Sequence, residues 1–304
     1  MKMLKQLLAA AAALLLASSA NLGNLGAQNT ALGFTRIDRN PRTSAMAGAG
    51  RASLDNGAYS AFNNAAALPS LQGLGDAFAS VQLWEMTNEV DKTTNIVAGT
   101  GFRFGQLGIA VGGVFQTGVK NGDFAPKDYM VSLGLAYNIK DIVSVGLNAR
   151  YAGQSLAPSA KVGGFSADIS VQGNIGEELS LMGGVACLGP KVKGSVAEYS
   201  QPAYAHIGAA WKHALAQKHG LELALDAEYN FNSAFAAAIG AEYAYNNMGF
   251  LRVGYRLAGK DAVIPSHLAL GVGFRYMGFR ADISYLTASP ILGNTLSFGV
   301  GYSF

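Results

Sequence analysis

The last nine residues of the sequence alternate between large apolar residues and small or polar ones. Leu296, Phe298, Val300, Tyr302 and Phe304 occupy every second position, with Ser and Gly between them. Successive side chains of a β-strand point to opposite faces, so this segment predicts a strand with one apolar face and one face of small groups. A strand of this kind that ends on an aromatic residue is typical of the closing strand of a transmembrane β-barrel.

The same alternation recurs from Asp76 onward, and turn residues separate the segments. In Leu221–Tyr229, for example, Glu222, Asp226 and Glu228 share one face. The pattern predicts about fourteen strands, an even number as in bacterial single-chain barrels. They are Asp76–Met86, Lys92–Phe104, Leu107–Thr117, Tyr129–Ile139, Val143–Tyr151, Gly163–Ile175, Leu179–Cys187, Ala203–Trp211, Leu221–Tyr229, Phe235–Tyr245, Leu251–Leu257, Leu268–Tyr276, Phe279–Tyr285 and Leu296–Phe304.

The links between these strands alternate in length, as expected for tight periplasmic turns and longer external loops. The predicted tight links are Gly105-Gln106, Lys140-Asp141, Gly176-Glu177, Asn246-Asn247 and Met277-Gly278. The predicted longer links are Gly118–Pro126, Gln154–Ala160, Gly189–Gln201, Ala258–Pro265 and Thr287–Asn294. Two links fit less well, because Asn232-Ser233 is short for an external loop and Ala214–Gln217 is slightly long for a periplasmic turn.

Composition bears on the choice between a membrane barrel and a soluble β-sandwich or periplasmic barrel, which would also alternate. Charged residues make up 13% of the chain, against about 25% in ordinary globular proteins. A soluble sheet presents Lys, Glu and Thr to water, whereas the polar positions here are mostly Gly, Ala, Ser and Asn. We therefore expect an all-β transmembrane barrel in the outer membrane, surrounded by lipid and inserted by the barrel-assembly machinery, with both termini periplasmic.

The first residues resemble a secretory signal peptide. Lys2 and Lys5 precede the apolar run Leu7–Leu16, and small residues follow at Ala20 and Ala27. Cleavage could follow either alanine, and we favour Ala27. Removal of the signal takes away two of the three net positive charges, so the basic pI does not predict nucleic-acid binding. The predicted organisation is a signal peptide over residues 1–27, an N-terminal segment over 28–75 and the barrel over 76–304.

The N-terminal segment does not alternate, and two of its stretches resemble a known family. Ser44–Gly50 is rich in Ala and Gly, and Ala58–Leu68 contains Asn-Asn-Ala-Ala-Ala-Leu. Both are similar to the N-terminal region of the PorV/PorQ outer-membrane proteins of Bacteroidetes, relatives of the FadL-type channels. There a glycine-rich stretch precedes an Asn-Pro-Ala-x-Leu motif, and here Asn64 stands in place of the proline. The matching positions are Met46, Gly48, Gly50, Asn63, Ala65 and Leu68. Ala281–Tyr285 and Leu292–Phe298 resemble the family's C-terminal strands.

The resemblance implies a fourteen-stranded barrel with an N-terminal hatch in the lumen. A barrel this wide leaves space that strand side chains alone do not fill. Gly48 and Gly50 are expected to let the hatch backbone lie close to the wall. Hatch arginines could pair with carboxylates of the wall, or the wall carboxylates could pair with wall arginines, and both can hold. The candidates are Arg36, Arg39 and Arg42 on the hatch, and Asp168, Asp226, Glu228, Glu242, Asp282, Arg150, Arg252, Arg256, Arg275 and Arg280 on the wall.

Catalytic, cofactor and metal sites are not predicted. His206 is expected to face the lumen, and no histidine is flanked by a serine and a carboxylate in an order that indicates a triad. His213 and His219 could meet across a turn, but two histidines without a third ligand are weak evidence for a metal. Gly48-Ala-Gly50 lacks the third glycine of a dinucleotide-binding loop. We therefore expect no enzyme and no cofactor.

Two functions remain in competition. The resemblance implies an interaction component of type IX protein secretion, whose partners are secreted cargo proteins or secretion-system subunits, contacted by the loops Gly189–Gln201 and Gly118–Pro126. The alternative is a FadL-like channel for hydrophobic small molecules, with an externally open pocket lined by Phe34, Met46 and Phe62. In either case Tyr302 and Phe304 are expected to belong to the C-terminal signal read during barrel assembly.

Overall fold

The computed structural model describes residues 30–85, 93–118, 124–140, 142–194, 197–231, 234–259, 262–287 and 294–304. Fourteen antiparallel strands form a closed barrel in which each strand pairs with the next barrel strand along the chain and the first pairs with the last. The predicted fourteen-stranded barrel is thereby confirmed; the predicted signal peptide lies outside the described residues. The barrel strands are β1 (Gly75–Glu85), β2 (Thr93–Phe104), β3 (Leu107–Thr117), β4 (Lys127–Ile139), β5 (Val143–Ala157), β6 (Ala160–Ile175), β7 (Leu179–Leu188), β10 (Tyr204–Ala216), β11 (His219–Asn230), β12 (Ala234–Tyr245), β13 (Gly249–Ala258), β14 (His267–Tyr276), β15 (Phe279–Leu286) and β16 (Asn294–Ser303). Between β7 and β10, β8 (Val192–Lys193) and β9 (Glu198–Tyr199) form a separate two-stranded sheet.

The strands place their apolar residues outward and their small or polar residues inward. In β4, Tyr129, Val131 and Leu133 are 45–54% exposed, while the intervening Met130 and Ser132 are at most 1% exposed. A soluble barrel buries its apolar face, so an apolar outer surface of this extent fits a barrel surrounded by lipid. None of the helices in the described parts of the chain has the length and apolar character needed to cross a membrane.

The two ends of the barrel differ in their connections. At the end that we call the turn end, strands are joined by links such as 105–106, 217–218 and 277–278. At the opposite end, the loop end, β7 and β10 are joined by residues 189–203. The predicted long link Gln154–Ala160 is wrong, because β5 and β6 continue to pair as far as Ala157 and Ala160 and leave a two-residue turn. The predicted slightly long link Ala214–Gln217 is also wrong, since β10 and β11 pair as far as Ala216 and His219. Asn232-Ser233 lies outside the described residues.

The N-terminal segment, residues 30–74, lies against the inner face of the barrel. It contains a short α-helix, Pro41–Ser44, and three 3₁₀ helices, Gly33–Arg36, Leu54–Phe62 and Ala65–Ser70. Ala31 N donates to Ser200 O at the loop end (3.0 Å), and Leu74 N donates to Phe304 O at the turn end (2.7 Å). The first described residues therefore lie at the loop end and Phe304 at the turn end. Because residues 1–29 lie outside the described part of the chain, the periplasmic location of both termini stays a prediction.

Glycines of the wall allow this segment to approach the strands closely. A Cβ atom at Gly146 on β5 would lie 2.2 Å from Ala66 N, and one at Gly254 on β13 would lie 2.2 Å from the carbonyl carbon of Met46. Real Cβ atoms do not come this close to backbone, so any larger residue at either position would force the segment away from the wall. The segment and the inner wall thus form one packed core.

Candidate functional site

Arg42 lies at the centre of the first of two luminal ion-pair clusters. Asn40 caps the helix Pro41–Ser44 by accepting from Arg42 N (3.1 Å), and Pro at the first helical position suits its start. This places the Arg42 guanidinium between β11 and β12, where Nη2 donates to Glu222 (2.9 Å) and Nε donates to Glu242 (2.9 Å). All three side chains are buried. Among the described residues, Arg42 is the ion-pair partner of Glu222 and shares Glu242 with Arg252, so it fixes the segment to this part of the wall.

Glu228 forms the second cluster, nearer the loop end. Arg36 Nη2 donates to it at 2.7 Å, Arg51 Nη2 at 3.1 Å, and Arg256 from β13 also binds it. The Arg36 guanidinium carbon lies 3.4 Å from the centre of the Tyr204 ring, a cation–π contact. One wall carboxylate therefore holds two arginines of the segment and one of the wall.

Wall-to-wall pairs are present as well, so both predicted pairing schemes occur together. Arg252 binds Glu242 and Asp282, each at 2.6 Å, and Arg150 binds Asp168. Asp226 instead accepts the backbone N–H of Gly50 at 2.7 Å. Arg39 is the exception among the predicted hatch arginines, since it donates to the backbone oxygen of Phe34 and forms no ion pair with a described carboxylate. Burial lowers the pKa of Arg39 to about 9, an effect that the nearby charge of Asp38 opposes.

At the turn end, charged groups connect the segment to the rim of the barrel. Asp55 accepts from Lys212 at 2.7 Å and from Arg275 at 3.4 Å. Burial raises the pKa of Asp55, but the charges of Arg275, Lys212 and Arg42 outweigh it and hold the pKa below the ordinary value of 3.8. Arg280 binds Asp76, which also accepts Ala58 N at 2.7 Å.

Five charged residues in these clusters were missing from the predicted set: Arg51, Asp55, Asp76, Lys212 and Glu222. The alternation of β11 does place Glu222 on the same face as Asp226 and Glu228, and that signal was sufficient to include it. Arg51 and Asp55 lie in a segment without periodicity. The sequence therefore does not indicate which way the side chains of Arg51 and Asp55 point.

The residues that match the family motif lie in the N-terminal segment. Met46 packs with Ala49, Ala224 and Ala238 against β11 and β12, and Leu68 packs with Ala65 in a cluster against β3 and β4. Asn63 caps the 3₁₀ helix Leu54–Phe62 at its C-terminal end. Asn64, which replaces the motif proline, donates to Arg51 O (2.9 Å) and to Gln172 Oε1 (2.5 Å). The amide thus supplies two contacts that a proline could not make.

Gly48 and Gly50 both adopt positive φ angles, of 88° and 94°. A Cβ at Gly50 would lie 2.8 Å from Met46 Cε, within the segment. At Gly48 a Cβ would come no closer than 3.6 Å, to Arg256 Nη1. Contrary to the expectation, a side chain at either position would not be forced into the wall, although the Gly50 N–H itself donates to Asp226 of the wall. The positive φ angles favour glycine at both positions.

The histidines and Cys187 have separate environments. His213 contacts Glu178 (2.8 Å), His219 contacts the Tyr243 hydroxyl (2.5 Å), and His267 contacts Pro265 O (2.9 Å), so the two histidines considered as a metal pair have different partners. His206 is buried in the lumen, as alternation predicted. Cys187 is buried beside Arg150.

A group of three carboxylates, Asp55, Glu222 and Glu242, brings its oxygens within 4.8 Å of one another. Oxygen ligands of this kind suit a hard cation. Arg42 lies among them, however, and Lys212 and Arg252 bind two of them from the sides. Their charge is therefore already balanced by side chains of this chain.

The two predicted assembly-signal residues, Tyr302 and Phe304, point outward. Tyr302 packs against Phe279 with ring centres 4.5 Å apart, and Phe304 lies edge-on to Phe102 at 6.0 Å. Their role in assembly stays a prediction. Of the two predicted cargo loops, residues 119–123 and 195–196 lie outside the described residues. In the described part of Gly189–Gln201, Val192 is buried in the cluster that contains Leu32, whereas Lys191, Lys193 and Glu198 are exposed.

Two cavities border the N-terminal segment. The one at the turn end has a volume of about 730 Å³ and is lined by charged residues that include Asp55, Lys212 and Arg275. The other, of about 310 Å³, opens among the strand ends at the loop end, and we call it the loop-end pocket. Phe34, Ile37, Val263, Ile264 and Leu286 supply apolar lining, and Gln82, Gln116, Asp128, Gln154, Arg256 and His267 supply polar lining. Of the three residues predicted to line such a pocket, Phe34 does so, whereas Met46 and Phe62 pack against the wall.

Comparison with known proteins finds the same fold among solved structures. No protein-family model matches the sequence, and no curated protein matches it. Among solved structures, the toluene transporter TbuX of Ralstonia pickettii is similar with a TM-score of 0.62 at 13% identity, over 88% of this chain and 98% of that one. The toluene transporter TodX of Pseudomonas putida gives 0.63 at 11% identity, over 86% and 97%. A FadL homologue of Pseudomonas aeruginosa gives 0.55 at 11%, over 87% and 98%. At these identities the similarity establishes the fold alone.

Proposed function

We propose that this chain is an outer-membrane barrel that admits small, largely apolar molecules, as in a FadL-like channel. The observation that carries the proposal is the loop-end pocket, which opens among the strand ends and has the N-terminal segment as its floor. Pockets that bind small molecules are typically concave and largely apolar, with a few fixed polar groups. The pocket fits this description.

Two further observations support the proposal. The structures of two toluene transporters share the fold over nearly their whole length. In addition, the segment fills the lumen through ion pairs and close backbone contacts, so a molecule in the pocket can pass only if the segment moves or the wall opens. This arrangement suits a gated conduit for single molecules better than an open water-filled pore.

The resemblance implied a role in type IX secretion. No contact among the described residues supports this role, and it stays a prediction. Its test is separate. If the chain acts in secretion, deletion of its gene should change the set of surface-anchored proteins in envelope proteomics, whereas a conduit for small molecules should leave that set unchanged.

The proposal is tested by filling the pocket from its floor. Gly33 lines the pocket, its backbone is not in the left-handed region, and a Cβ there would lie 3.7 Å from Val263 Cγ1. Gly33→Leu should therefore occupy the pocket without straining the fold. We expect toluene uptake into proteoliposomes to fall several-fold below that of the wild type. Gly249→Leu at the turn end, where a Cβ would meet no atom within 4 Å, is the matched control and should retain uptake. Equal uptake by Gly33→Leu and the wild type would contradict the proposal.

A further inference from the structure

The polar side of the loop-end pocket contains buried hydrogen-bond acceptors that have no partner. Gln116 on β3 and Asp128 on β4 are register neighbours, and Gln116 Nε2 donates to Asp128 Oδ2 at 3.2 Å. Because this bond uses the amide nitrogen, it fixes the orientation of the amide and directs Gln116 Oε1 elsewhere. Gln116 Oε1 and Asp128 Oδ1 have no hydrogen-bond partner among the described residues, although the two side chains are only 9% and 7% exposed.

Some polar groups around this pocket have partners, whereas Arg39 and Arg256 also keep buried guanidinium nitrogens that have no hydrogen-bond partner among the described residues. Gln82 donates to Asp38 O (2.6 Å) and accepts from Asn95 (2.8 Å). Asp38 Oδ2 is a third acceptor without a described partner. Buried acceptors without a partner are rare in native proteins and destabilise them, which indicates that something outside the described chain completes them.

The charges around the acceptors indicate what that group is. Arg39 lies close enough to Asp38 and Asp128 to interact with both charges. A cation is therefore not required for local neutrality. A carboxylate would meet the free N–H groups of Arg39 and Arg256, but it would be repelled by Asp128 and has no proton to donate to Gln116 Oε1. A hydroxyl group, which is uncharged and donates one hydrogen bond, satisfies either acceptor.

We propose that the loop-end pocket binds an uncharged amphipathic molecule, such as an alkylphenol or an alcohol, with its hydroxyl directed at Gln116 Oε1 and Asp128 Oδ1. Its apolar body packs on Phe34, Ile37 and Leu286, which line the other side of the pocket. This rests on the proposed function as a conduit and names the class of molecule that it takes. A plain hydrocarbon of the same shape fills the apolar side but leaves both acceptors unpaired.

The test compares three probes of similar shape: 4-propylphenol, propylbenzene and 4-propylbenzoate. Binding to the purified full-length protein in detergent is measured by isothermal titration calorimetry. We expect 4-propylphenol to bind about tenfold more tightly than propylbenzene, as one additional hydrogen bond to a buried acceptor allows. 4-Propylbenzoate should bind more weakly than 4-propylphenol.

Two variants locate the preference at the acceptors. Gln116→Leu should bring the affinity for 4-propylphenol close to that for propylbenzene. In Asp128→Asn the side-chain oxygen still accepts from Gln116 and an NH₂ group takes the position of Oδ1. A fourth probe, 4-propylanisole, whose oxygen only accepts, should therefore bind more tightly to Asp128→Asn than to the wild type. Gln106→Leu is the matched control, because Gln106 lies at the turn end and accepts from Tyr137 at 2.7 Å. It should leave all affinities unchanged.

The inference is overturned if 4-propylphenol and propylbenzene bind equally to the wild type, which would mean that water alone occupies the acceptors. It is also overturned if Gln116→Leu keeps the phenol preference, or if none of the probes binds. The proposed function is tested separately by toluene uptake. If Gly33→Leu lowers that uptake, the proposed function stands even where 4-propylphenol and propylbenzene bind equally.

Discussion

Arg42 is a single residue on which the position of the N-terminal segment depends. It is fully buried and bridges Glu222 and Glu242, which come from neighbouring strands. Removal of one partner from a buried ion pair leaves an uncompensated charge, at a cost of about 3–5 kcal/mol. In Arg42→Met, Glu242 keeps Arg252 as a partner, whereas among the described residues Glu222 keeps the hydroxyl of Ser53 alone.

We therefore expect Arg42→Met to release the segment from the wall while the barrel remains folded. Limited proteolysis of the folded protein should cut within residues 30–74 much faster than in the wild type. The double variant Arg42→Met/Glu222→Gln should recover part of the protection, because it removes the stranded charge. Unchanged protection in Arg42→Met would show that the ion pairs do not hold the segment.

Asp55 gives a residue-level prediction about pH. Its pKa in the folded protein lies below the ordinary 3.8 because Arg275, Lys212 and Arg42 outweigh the effect of burial. For a carboxyl with a depressed pKa, the stabilisation is complete above the ordinary pKa and is lost as pH falls toward the folded value. Protease protection near Leu54 should thus be constant from neutral pH to about pH 4 and fall in more acidic solution.

Asp55→Asn is the matched variant for this effect. It keeps the shape of the side chain but cannot titrate, so the part of the pH dependence that comes from Asp55 should vanish. The interpretation fails if the wild type and Asp55→Asn lose protection in parallel over the same pH range.

At the level of elements, contact between the segment and the strands depends on wall glycines. A Cβ at Gly254 on β13 would lie 2.2 Å from the Met46 backbone, whereas at Gly113 on β3 the nearest atom is Met130 O at 3.8 Å. The two substitutions have the same intrinsic effect on strand propensity. The two substitutions differ in the atoms that the new side chain would contact.

We expect Gly254→Leu to displace the segment and to open a water path, seen as new conductance in planar bilayers. Gly113→Leu should stay as tight as the wild type. The barrel should remain resistant to heat on gels in both variants, because its backbone hydrogen bonds close without the segment. A Gly254→Leu barrel that remains closed would mean that the segment does not seal the lumen at this wall.

At the level of the whole molecule, the closed ring of strands and the segment contribute different properties. The ring leaves no unpaired edge, and the segment fills a lumen that fourteen strands leave too wide for side chains alone. A protein lacking residues 30–70 should therefore insert as a folded barrel with steady conductance, whereas the full chain should conduct little. Equal conductance of both proteins would contradict this division of roles.

The alternation in strands such as β4 determined the fold from the sequence alone, because a period of two fixes which side chains face lipid whatever their distant neighbours are. The direction of Glu222, Asp226 and Glu228 follows from the same rule. Residues 30–74 have no period, so only the tertiary structure decided that Arg42 meets Glu222 and Glu242, that Arg39 donates to the Phe34 backbone oxygen, and that Gly146 and Gly254 lie very close to the segment. Pairing between a non-periodic segment and a barrel wall depends on where the chain enters the lumen and how it turns. Both are set by packing among residues far apart in the sequence.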